Sequence, residues 1–531
     1  MTSVLLYCLL PATLAAQEAA QRKYKVPVLT GKEINPVIRI RVDAAADNQT
    51  LQQVEVQLKS PASHLQHIRV YAAGTDSTLL KADKMKGKTL FAEAPAGRKV
   101  VLKGNAGLQR GANYFWVTVT PAAGVRLSAR LNINAAAVQV SNRSIKLPAD
   151  AYAHRFGVAL RQHQQDGVHT YRIPGLATAK NGTLLAIYDV RRETGRDLQG
   201  NIDIGLQRSF DKGKTWQPMQ IVLDMGAWGN LPEKFNGVSD ANVLVDRNSG
   251  NIYIAGLWMH GVINTDGKWV EGLTEKDTVW NHQWRTKGSQ PGYGEKQTSQ
   301  FLLTKSTDNG ATWSQPLNIT RMGKQENWWL WAPAPGQGIT LKDGTLVFPT
   351  QGRDNTGKGF STISYSKDGG NTWKTGTRAA RESTTENMAV ELADGSIMLN
   401  MRSGVNKDTG STNGRVVAVT KDLGETWSVH PTSRNALPEP VCMASIIRHT
   451  DGKGKTMLLF SNPDSKTARK NMTIKVSYDN GNTWAAKVLL DEEKSRGYSC
   501  LTSLDENTIG ILYESSEADM VFQTVGVEEL R

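Results

Sequence analysis

The 531-residue chain has little of several features that mark common classes of protein. Three cysteines are too few for a disulfide scaffold or a cysteine-based metal cage. A hydrophobic content of 39% and a charged content of 21% exclude a membrane-embedded chain and a wholly disordered one. The nine histidines include no His-Glu-x-x-His pattern, and no Gly-x-x-x-x-Gly-Lys phosphate loop is present. We therefore expect no catalytic metal and no cofactor.

Acidic residues are in the minority, because 50 Asp and Glu stand against 63 Lys and Arg, a formal charge of +13. Such an excess suits an anionic partner, whether a nucleic acid, an acidic lipid or an acidic sugar. The basic residues are scattered and are not clustered with aromatic residues, which argues against nucleic acid. The composition therefore predicts no nucleic-acid partner and leaves acidic lipids and sugars.

Residues 4–16 form an apolar run that is followed by a polar segment. The run is shorter than the ~20 residues that span a bilayer, so we expect no transmembrane anchor. It fits the apolar core and the small-residue cleavage region of a secretory signal, although a charged start is missing. We expect residues 1–23 to be a signal peptide or a disordered N-terminus, and the protein to be exported to the periplasm, the cell surface or the medium. An exported chain keeps Cys442 and Cys500, and the sequence does not settle whether they pair.

Residues 24–145 are predicted to form an all-β sandwich, an accessory domain of the carbohydrate-binding type. Turn signals separate short alternating segments without a helical period, and no aromatic platform favours glycan binding. The stretch Ser141–Pro148 is predicted to be a linker. The predicted strands are Val37–Val42, Gln53–Leu58, Ile68–Ala72, Lys99–Lys103, Tyr114–Val119 and Leu127–Ile133.

The rest of the chain contains the pattern Ser/Thr-x-Asp-x-Gly-x-Thr-Trp five times. The pattern predicts a turn, in which the aspartate accepts local N–H groups, the glycine supplies a positive φ and the tryptophan anchors the strand end. The last four aspartates are 60, 54 and 57 residues apart, whereas the first gap is 97. The longer gap contains an insertion over Gly261–Gln300. The five aspartates are Asp211, Asp308, Asp368, Asp422 and Asp479.

A second repeat, a turn followed by a strand, occurs six times. Its copies begin at Asn181, Ser249, Asp343, Asp394, Gly454 and Glu506. Four strands per unit with radial closure predict a six-bladed β-propeller over residues 150–531. The chain ends before a full sixth unit, so we expect the strand near Phe156–Leu160 to close the ring.

The segment Tyr171-Arg172-Ile173-Pro174 is followed by the five Ser/Thr-x-Asp-x-Gly-x-Thr-Trp repeats, which are known as Asp boxes. This combination resembles the bacterial exo-α-sialidase (neuraminidase) family over roughly residues 155–531. The resemblance implies a glycoside hydrolase that removes terminal α-linked sialic acids from sialylated glycoproteins, glycolipids or oligosaccharides. A sialoside has a carboxylate on its anomeric carbon, which guanidinium groups can hold bidentately. The resemblance implies Arg172, in the Arg-Ile-Pro motif, for this task, together with Arg402 at the end of the segment Ser396–Arg402 and Arg469 before the fifth repeat. Lys466 and Lys470 are alternatives to Arg469.

The resemblance also implies a catalytic set. Tyr498 matches the family's nucleophile, and Glu386 matches the base that activates it. A phenol has a pKa near ~10, so it needs such a base at neutral pH. A neutral phenol also avoids the repulsion that a carboxylate nucleophile would meet at a carbon bearing a carboxylate, and sialidases are an exception to the two-carboxylate rule.

The general acid and base is expected on a loop. By resemblance Arg191 binds substrate and Asp197, six residues later, is the acid/base, with Asp203 and Asp189 as rivals. Two further carboxylates are implied, Asp240 for a ring hydroxyl and Glu514 to orient Arg172. These roles predict a retaining mechanism. The alternatives are a catalytically inactive sialic-acid lectin, another Asp-box glycosidase or interaction propeller, and a trans-sialidase, which shares the catalytic set.

Overall fold

The computed structural model describes residues 18–78, 88–229, 231–261, 270, 289–407 and 409–531. Over these residues the chain is all-β, as predicted, with one four-residue α-helix, Thr320–Gly323. Short 3-10 turns lie at Ala62–His64, Gln165–Gly167, Glu233–Phe235 and Val527–Leu530. None of the described helices is long and apolar enough to cross a membrane. The chain divides into two compact units, one ending at residue 155 and the other formed by 126–128 and 156–531.

The first unit contains two antiparallel sheets. Its strands are β1 (Ala19–Lys23), β2 (Val28–Thr30), β3 (Asn35–Ala44), β4 (Thr50–Leu58), β5 (Leu65–Gly74), β6 (Thr89–Pro95), β7 (Lys99–Gly107), β8 (Gly111–Pro121), β9 (Arg130–Leu131), β10 (Ile133–Val140) and β11 (Arg143–Lys146). One sheet has the order β1-β3-β8-β5-β6 and the other β11-β10-β4-β7. The inward residues of β8 are buried, and Trp116 packs on Tyr24 with ring centroids 5.1 Å apart.

Five of the six strands predicted in this unit are confirmed, because they fall within β3, β4, β5, β7 and β8. The continuous strand predicted at Leu127–Ile133 is wrong, since only β9 and the start of β10 lie there. The predicted linker is also wrong, because β11 pairs with β10 across a two-residue turn in which Ser141 has a φ of +51°. The end of the expected leader is a strand, since β1 pairs with β3. Residues 1–17 lie outside the described residues.

From His154 onward the described part of the chain consists mainly of β-strands. They are β12 (His154–Arg161), β13 (Thr170–Thr178), β14 (Leu184–Arg191), β15 (Ile202–Ser209), β16 (Gln220–Leu223), β17 (Asn236–Val245), β18 (Ile252–His260), β19 (Gln300–Ser306), β20 (Leu317–Asn318), β21 (Leu330–Pro333), β22 (Gly336–Gln337), β23 (Ile339–Thr340), β24 (Leu346–Arg353), β25 (Gly359–Ser366), β26 (Lys374–Thr375), β27 (Thr384–Glu391), β28 (Ile397–Ser403), β29 (Val416–Thr420), β30 (Ser428–Val429), β31 (Ser445–Thr450), β32 (Thr456–Pro463), β33 (Met472–Ser477), β34 (Ala486–Asp491), β35 (Ser499–Asp505), β36 (Thr508–Tyr513) and β37 (Met520–Gly526).

All of these strands except β22 and β23 form successive four-stranded antiparallel meanders, and a parallel pairing of β15 with β17 joins the first two into one sheet. Their orders are β13-β14-β15-β16, β17-β18-β19-β20, β21-β24-β25-β26, β27-β28-β29-β30, β31-β32-β33-β34 and β35-β36-β37-β12. Each of the six turn-and-strand signatures leads into the second strand of a meander, so that repeat is confirmed. The strand near Phe156–Leu160, which is expected to close the ring, is β12, and it pairs with β37. Most of the insertion at Gly261–Gln300 lies outside the described residues.

The five Ser/Thr-x-Asp-x-Gly-x-Thr-Trp repeats make the same turn, which begins at the last residue of a third strand. In the first copy the Gly213 backbone N–H donates to Ser209 Oγ at 2.8 Å, and the Thr215 hydroxyl donates to Asp211 Oδ2 at 2.6 Å. The glycines of all five copies have φ between +80° and +87°. In four copies the indole N–H donates to the glycine carbonyl, at 3.1–3.2 Å, whereas Trp484 lacks this bond. Each of these turns is thus formed by hydrogen bonds between residues of the repeat itself.

The two cysteines of the second unit are buried free thiols. Cys442 Sγ lies 3.8 Å from the Arg496 carbonyl, and Cys500 Sγ lies 3.6 Å from the Leu176 carbonyl. The pairing that the sequence left open is therefore not formed.

Candidate active site

The implied site residues come from different meanders and meet at one group of side chains. Arg172 lies in β13, Arg191 ends β14, and Glu386 and Arg402 lie in β27 and β28. Tyr498 directly precedes β35. We call this group, together with Asp197 and Glu514, the central site.

Arg172 is held by a buried carboxylate at the far end of the sequence. Its Nε donates to Glu514 Oε1 at 2.5 Å, and the Ile173 backbone N–H donates to the same oxygen at 3.2 Å. The Tyr498 backbone N–H donates to Glu514 Oε2 at 3.0 Å. Burial raises the pKa of Glu514, but Arg172 and these hydrogen bonds outweigh burial and hold it below its ordinary value. Glu514 is therefore an anion that fixes both Arg172 and the backbone of Tyr498.

A local irregularity aims Arg172 into the site. The pairing of β13 with β14 shifts register between Arg172 and Gly175. Ile173 has a φ of +62°, which is uncommon for a β-branched residue. A Cβ at Gly175 would lie 2.7 Å from the Gly336 carbonyl, so the strand approaches its neighbour too closely for any side chain. The Arg-Ile-Pro segment is thus a bulge in a buried strand.

Tyr498, Glu386 and Arg402 form a closed hydrogen-bonded triangle. The Tyr498 hydroxyl donates to Glu386 Oε1, and Arg402 Nη1 donates to Glu386 Oε2 at 2.6 Å and to the Tyr498 hydroxyl at 3.1 Å. Burial, and then the charge of Glu386, raise the pKa of Tyr498 well above its ordinary value. The guanidinium of Arg172 lies 5.3 Å from the Tyr498 ring centroid. The phenol therefore holds its proton beside a carboxylate that can accept it.

Asp197 lies on the loop between β14 and β15 and is exposed over 66% of its side chain. Arg191 Nη1 donates to its carboxylate, and Arg172 Nη1 lies 3.4 Å from Asp197 Oδ1. Partial desolvation raises the pKa of Asp197, but Arg191 and Arg172 outweigh it and hold the pKa below its ordinary value. Asp197 thus occupies, in this structure, a position bonded to two arginines of the central site.

The two rival carboxylates are placed differently. Asp189 is fully buried and accepts hydrogen bonds from Arg191, at 2.8 Å, and from the Ser239 hydroxyl, at 2.6 Å. Asp189 therefore fixes the guanidinium of Arg191 through a buried ion pair, while Arg191 also donates to Asp197. Asp203 is also buried and binds Arg192, whose Nε donates to Asp203 Oδ2 at 2.7 Å.

Asp240 and Arg469 lie at the edges of the central site. Asp240 has a φ of +55°, at a register shift in β17. Burial, and next the charge of Glu386, raise the pKa of Asp240 well above its ordinary value. Arg469 donates to the Arg496 carbonyl at 2.9 Å and to the Val441 carbonyl at 2.7 Å, and it lies 5.7 Å from the Tyr498 ring centroid.

A further arginine beside the central site, Arg496, was not predicted from the sequence. Burial, and then the neighbouring charge of Arg172, lower the pKa of Arg496. A Cβ at Gly195 would lie 3.5 Å from Arg496 Nη2, so the loop that carries Asp197 passes directly beside this guanidinium. Its signal in the sequence was its position two residues before Tyr498.

The central site combines fixed guanidinium groups with a phenol and with carboxylates that lie in different environments. Such a set can bind a carboxylate bidentately and can transfer protons. Away from it, Asp203, Asp224 and Glu233 bring carboxylate oxygens within 4.8 Å of one another, a group that could hold a metal ion.

Two family descriptions match the chain. Residues 16–144 match the N-terminal domain of BNR-repeat neuraminidase, and residues 173–514 match the BNR repeat-like domain. Together they cover most of both units.

Known relatives and a solved structure agree with these matches. The sialidase of Bacteroides fragilis is 39% identical over 98% of this chain and 97% of its own length. The sialidase of Micromonospora viridifaciens is 33% identical over 66% of this chain and 50% of its own. The structure of a Hadza microbial sialidase superposes with a TM-score of 0.87 at 36% identity, covering 96% of this chain and 100% of that one. The chain therefore belongs to the bacterial sialidase family, the BNR-repeat neuraminidases, and is a glycoside hydrolase.

Proposed function

We propose that the protein is an exo-α-sialidase that hydrolyses terminal α-linked sialic acids of glycoproteins, glycolipids or oligosaccharides with retention of configuration. The observation that carries the proposal is the triangle of Tyr498, Glu386 and Arg402 beside Arg172. It pairs a buried phenol with a base at hydrogen-bond distance, which is the requirement for activating a weak nucleophile.

We further propose that residues 150–531 form a six-bladed β-propeller and that 24–145 form a β-sandwich accessory domain. The contacts between meanders support the ring. β13 contacts β17 and β35, β17 contacts β24, β24 contacts β27, β27 contacts β31 and β31 contacts β35. The series of contacts therefore begins and ends at β13. The pairing of β12 with β37 joins the start of the propeller to its end.

Arg172, Arg402 and Arg469 bind the sialoside carboxylate. Each guanidinium is held before substrate arrives: Arg172 by Glu514, Arg402 by Glu386 and Arg469 by two backbone carbonyls. Fixed donors need no reorganisation when the substrate binds, so more of their interaction energy reaches the transition state. Asp240 accepts a hydrogen bond from a ring hydroxyl, and Arg191 orients Asp197.

In the first chemical step Asp197 protonates the aglycone oxygen as the bond from the anomeric carbon to that oxygen breaks. The Tyr498 oxygen bonds to the anomeric carbon and its proton passes to Glu386. In the second step water attacks the anomeric carbon, Asp197 takes a proton from that water, and Tyr498 leaves with the proton held by Glu386. Two inversions give net retention.

The ion pairs of Asp197 with Arg191 and with Arg172 oppose this acid role in the absence of substrate, because they lower the pKa of the carboxyl. The substrate carboxylate competes for Arg172 and brings a second negative charge near Asp197. Both effects raise the pKa of Asp197 on binding, so that the acid is protonated when the leaving group arrives.

The test is release of 4-methylumbelliferone from its α-sialoside by wild type, Tyr498→Phe and the control Tyr365→Phe, a partly buried tyrosine outside the central site. We expect Tyr498→Phe to lose at least ~1000-fold in kcat and to retain binding of sialic acid. A kcat of Tyr498→Phe equal to that of the wild type would show that Tyr498 is not the nucleophile. Binding of sialic acid by the wild type without release of 4-methylumbelliferone would favour a catalytically inactive lectin. Proton NMR of the first sialic-acid anomer released tests retention.

Two related proposals have separate tests. Hydrolysis is distinguished from transfer by adding lactose and measuring sialyl-lactose against free sialic acid, and we expect free sialic acid to dominate. Export, with a signal peptide that ends before β1 (Ala19–Lys23), is tested by fractionating cells and sequencing the N-terminus of the mature chain.

A further inference from the structure

Arg496 lies between two parts of the proposed machinery. Its backbone carbonyl accepts a hydrogen bond from Arg469 Nη1 at 2.9 Å, beside one of the groups proposed to bind the substrate carboxylate. Its guanidinium borders the loop that carries Asp197, because a Cβ at Gly195 would lie 3.5 Å from Arg496 Nη2 and 3.9 Å from Nη1. Arg496 therefore connects the carboxylate-binding region to the loop of the proposed acid.

The guanidinium of Arg496 forms no ion pair and no hydrogen bond with the described residues. The two carboxylates whose charge acts on it are engaged elsewhere. Glu514 binds Arg172, and the Tyr171 backbone N–H donates to Asp519 Oδ2 at 3.0 Å. Because the Arg496 side chain is exposed, it is a cation that an incoming anion can reach.

The arginines that are proposed to act in hydrolysis are, by contrast, held by the protein itself. Arg172, Arg191 and Arg402 each pair with a buried carboxylate, and Arg469 donates to two backbone carbonyls. Such guanidinium groups are preorganised for the charge that is present in every sialoside. The five N–H donors of Arg496 have no such partner among the described residues.

The Asp197 loop does not depend on Arg496 for its hydrogen bonds. Arg191 Nη1 donates to the Gly195 carbonyl at 3.1 Å and also to the Asp197 carboxylate, so Arg191 ties this loop to β14. Arg496 lies beside the loop and donates no hydrogen bond to it. A purely structural role therefore leaves the position of this guanidinium unexplained.

The proposed hydrolysis indicates which part of a substrate lies beside this loop. Asp197 has to come within hydrogen-bond distance of the glycosidic oxygen in order to protonate it. The first residue of the aglycone begins at that oxygen, so it lies next to the loop of Gly195 and Asp197. A substituent on that residue is therefore the part of the substrate that can meet the guanidinium of Arg496.

We propose that Arg496 binds a carboxylate on the first residue of the aglycone, so that the enzyme favours a terminal sialic acid linked to a second sialic acid. This inference rests on the proposed hydrolysis and adds a substrate class to it. A guanidinium can hold a carboxylate through two parallel hydrogen bonds, which gives direction as well as charge. A neutral aglycone leaves Arg496 in water, so sialosides with neutral aglycones remain substrates.

The experiment compares substrates that differ in one charge. They are sialyl-α2,8-sialyl-lactose and the same compound with the inner carboxylate converted to an amide, with the 4-methylumbelliferyl α-sialoside as a neutral reference. Chromatography follows release of the terminal sialic acid at early times, before sialyl-lactose accumulates. For wild type we expect kcat/KM to be about 10-fold or more higher for the acid than for the amide. This ratio should shrink as the salt concentration rises.

The variants assign the preference to one side chain. Arg496→Gln should bring the ratio of acid to amide close to one, while its kcat/KM for the 4-methylumbelliferyl sialoside stays within about threefold of wild type. Arg496→Lys keeps the charge without the paired donors and should retain part of the ratio. The control Arg247→Gln removes an exposed arginine directly after β17 and should keep the wild-type ratio.

The ratio is the decisive quantity because Arg496 also acts on the proposed acid. Arg191 first, then Arg172 and Arg496, lower the pKa of Asp197 against the desolvation that raises it, and this effect is common to all substrates. Equal kcat/KM of wild type for acid and amide, or an unchanged ratio in Arg496→Gln, overturns the proposal. Equal losses by Arg496→Gln on all three substrates also overturn it, since Arg496 then acts through the Asp197 loop. If wild type releases sialic acid from none of them, the proposed hydrolysis itself is refuted, and this inference with it.

Discussion

Tyr498 and Glu386, 112 residues apart in the chain, are joined by a hydrogen bond in which the phenol donates to the carboxylate. Both side chains are nearly buried, and Arg402 donates to each of them. The raised pKa of Tyr498 means that the hydroxyl cannot ionise alone near neutral pH. Proton transfer to Glu386 is therefore coupled to bond formation at the substrate.

This coupling predicts that Glu386→Gln lowers kcat by about 10²- to 10⁴-fold, because an amide cannot accept the phenolic proton. The amide keeps the size of the side chain, so sialic-acid binding should persist at reduced affinity. The control is Glu391→Gln, at the end of the same strand. Steady-state kinetics check the prediction, and a kcat within threefold of wild type would exclude Glu386 as the base.

Glu514 is expected to act through Arg172, as a positioning residue. In Glu514→Gln the amide keeps one acceptor but loses the charge, so we expect KM for the sialoside to rise by about 10- to 100-fold, the equivalent of ~1.5–3 kcal/mol for a charged hydrogen bond. The Tm should fall as well, because the buried Arg172 loses its buried counter-charge.

The separate effects of Glu514→Gln on KM and on kcat distinguish a positioning role of Glu514 from a general loss of folding stability. Kinetics are measured well below the Tm of each variant, with Glu506→Gln, on a turn outside the central site, as the control. A fall in kcat alone, with KM unchanged, would contradict the positioning role of Glu514.

The parts of the fold that the sequence predicted well depend on local chemistry. In each Asp-box turn the aspartate accepts hydrogen bonds from backbone N–H groups of the same turn. Asp211 and its four counterparts therefore mark the end of the third strand of a meander. The linker prediction failed because the turn before β11 contains Ser141 and Asn142 and no glycine, although Ser141 adopts a positive φ.

The site was accessible from the sequence only through family resemblance, because its contacts are long-range. Arg172 and Glu514 are 342 residues apart, and no local pattern joins them. Arg496 and the group of Asp203, Asp224 and Glu233 were missed for the same reason: burial and charge at these positions are set by neighbours from other strands.

The repeat aspartates give the protein an acid-sensitive stability. Local hydrogen bonds, first those from the threonine of each repeat, lower the pKa of three of them to about 2 in the folded chain, namely Asp308, Asp368 and Asp422. An unfolded aspartate has a pKa of ~3.9. The stabilisation is therefore fully present above about pH 4 and is lost as the pH falls from there through about 2.

Replacing these three by asparagine should lower the Tm at pH 6, and the difference from wild type should shrink as the pH approaches 2. Thermal melts from pH 6 to pH 2.5 measure this difference. A difference that is independent of pH would show that the aspartates act by shape and not by charge.

Asp197→Asn tests the acid role through the leaving group. An aglycone sugar is a poor leaving group and needs the proton from Asp197, whereas 4-methylumbelliferone leaves as a stable anion. We expect kcat/KM, which reports the steps up to aglycone departure, to fall by about 10²- to 10⁴-fold for a sialyl-oligosaccharide and by less than about 10-fold for the fluorogenic sialoside. Glu193→Gln, the exposed carboxyl on the same loop, is the control and should leave both values unchanged. Equal losses on the two substrates would mean that Asp197 serves to hold Arg172 and Arg191, and the general acid would have to be sought elsewhere.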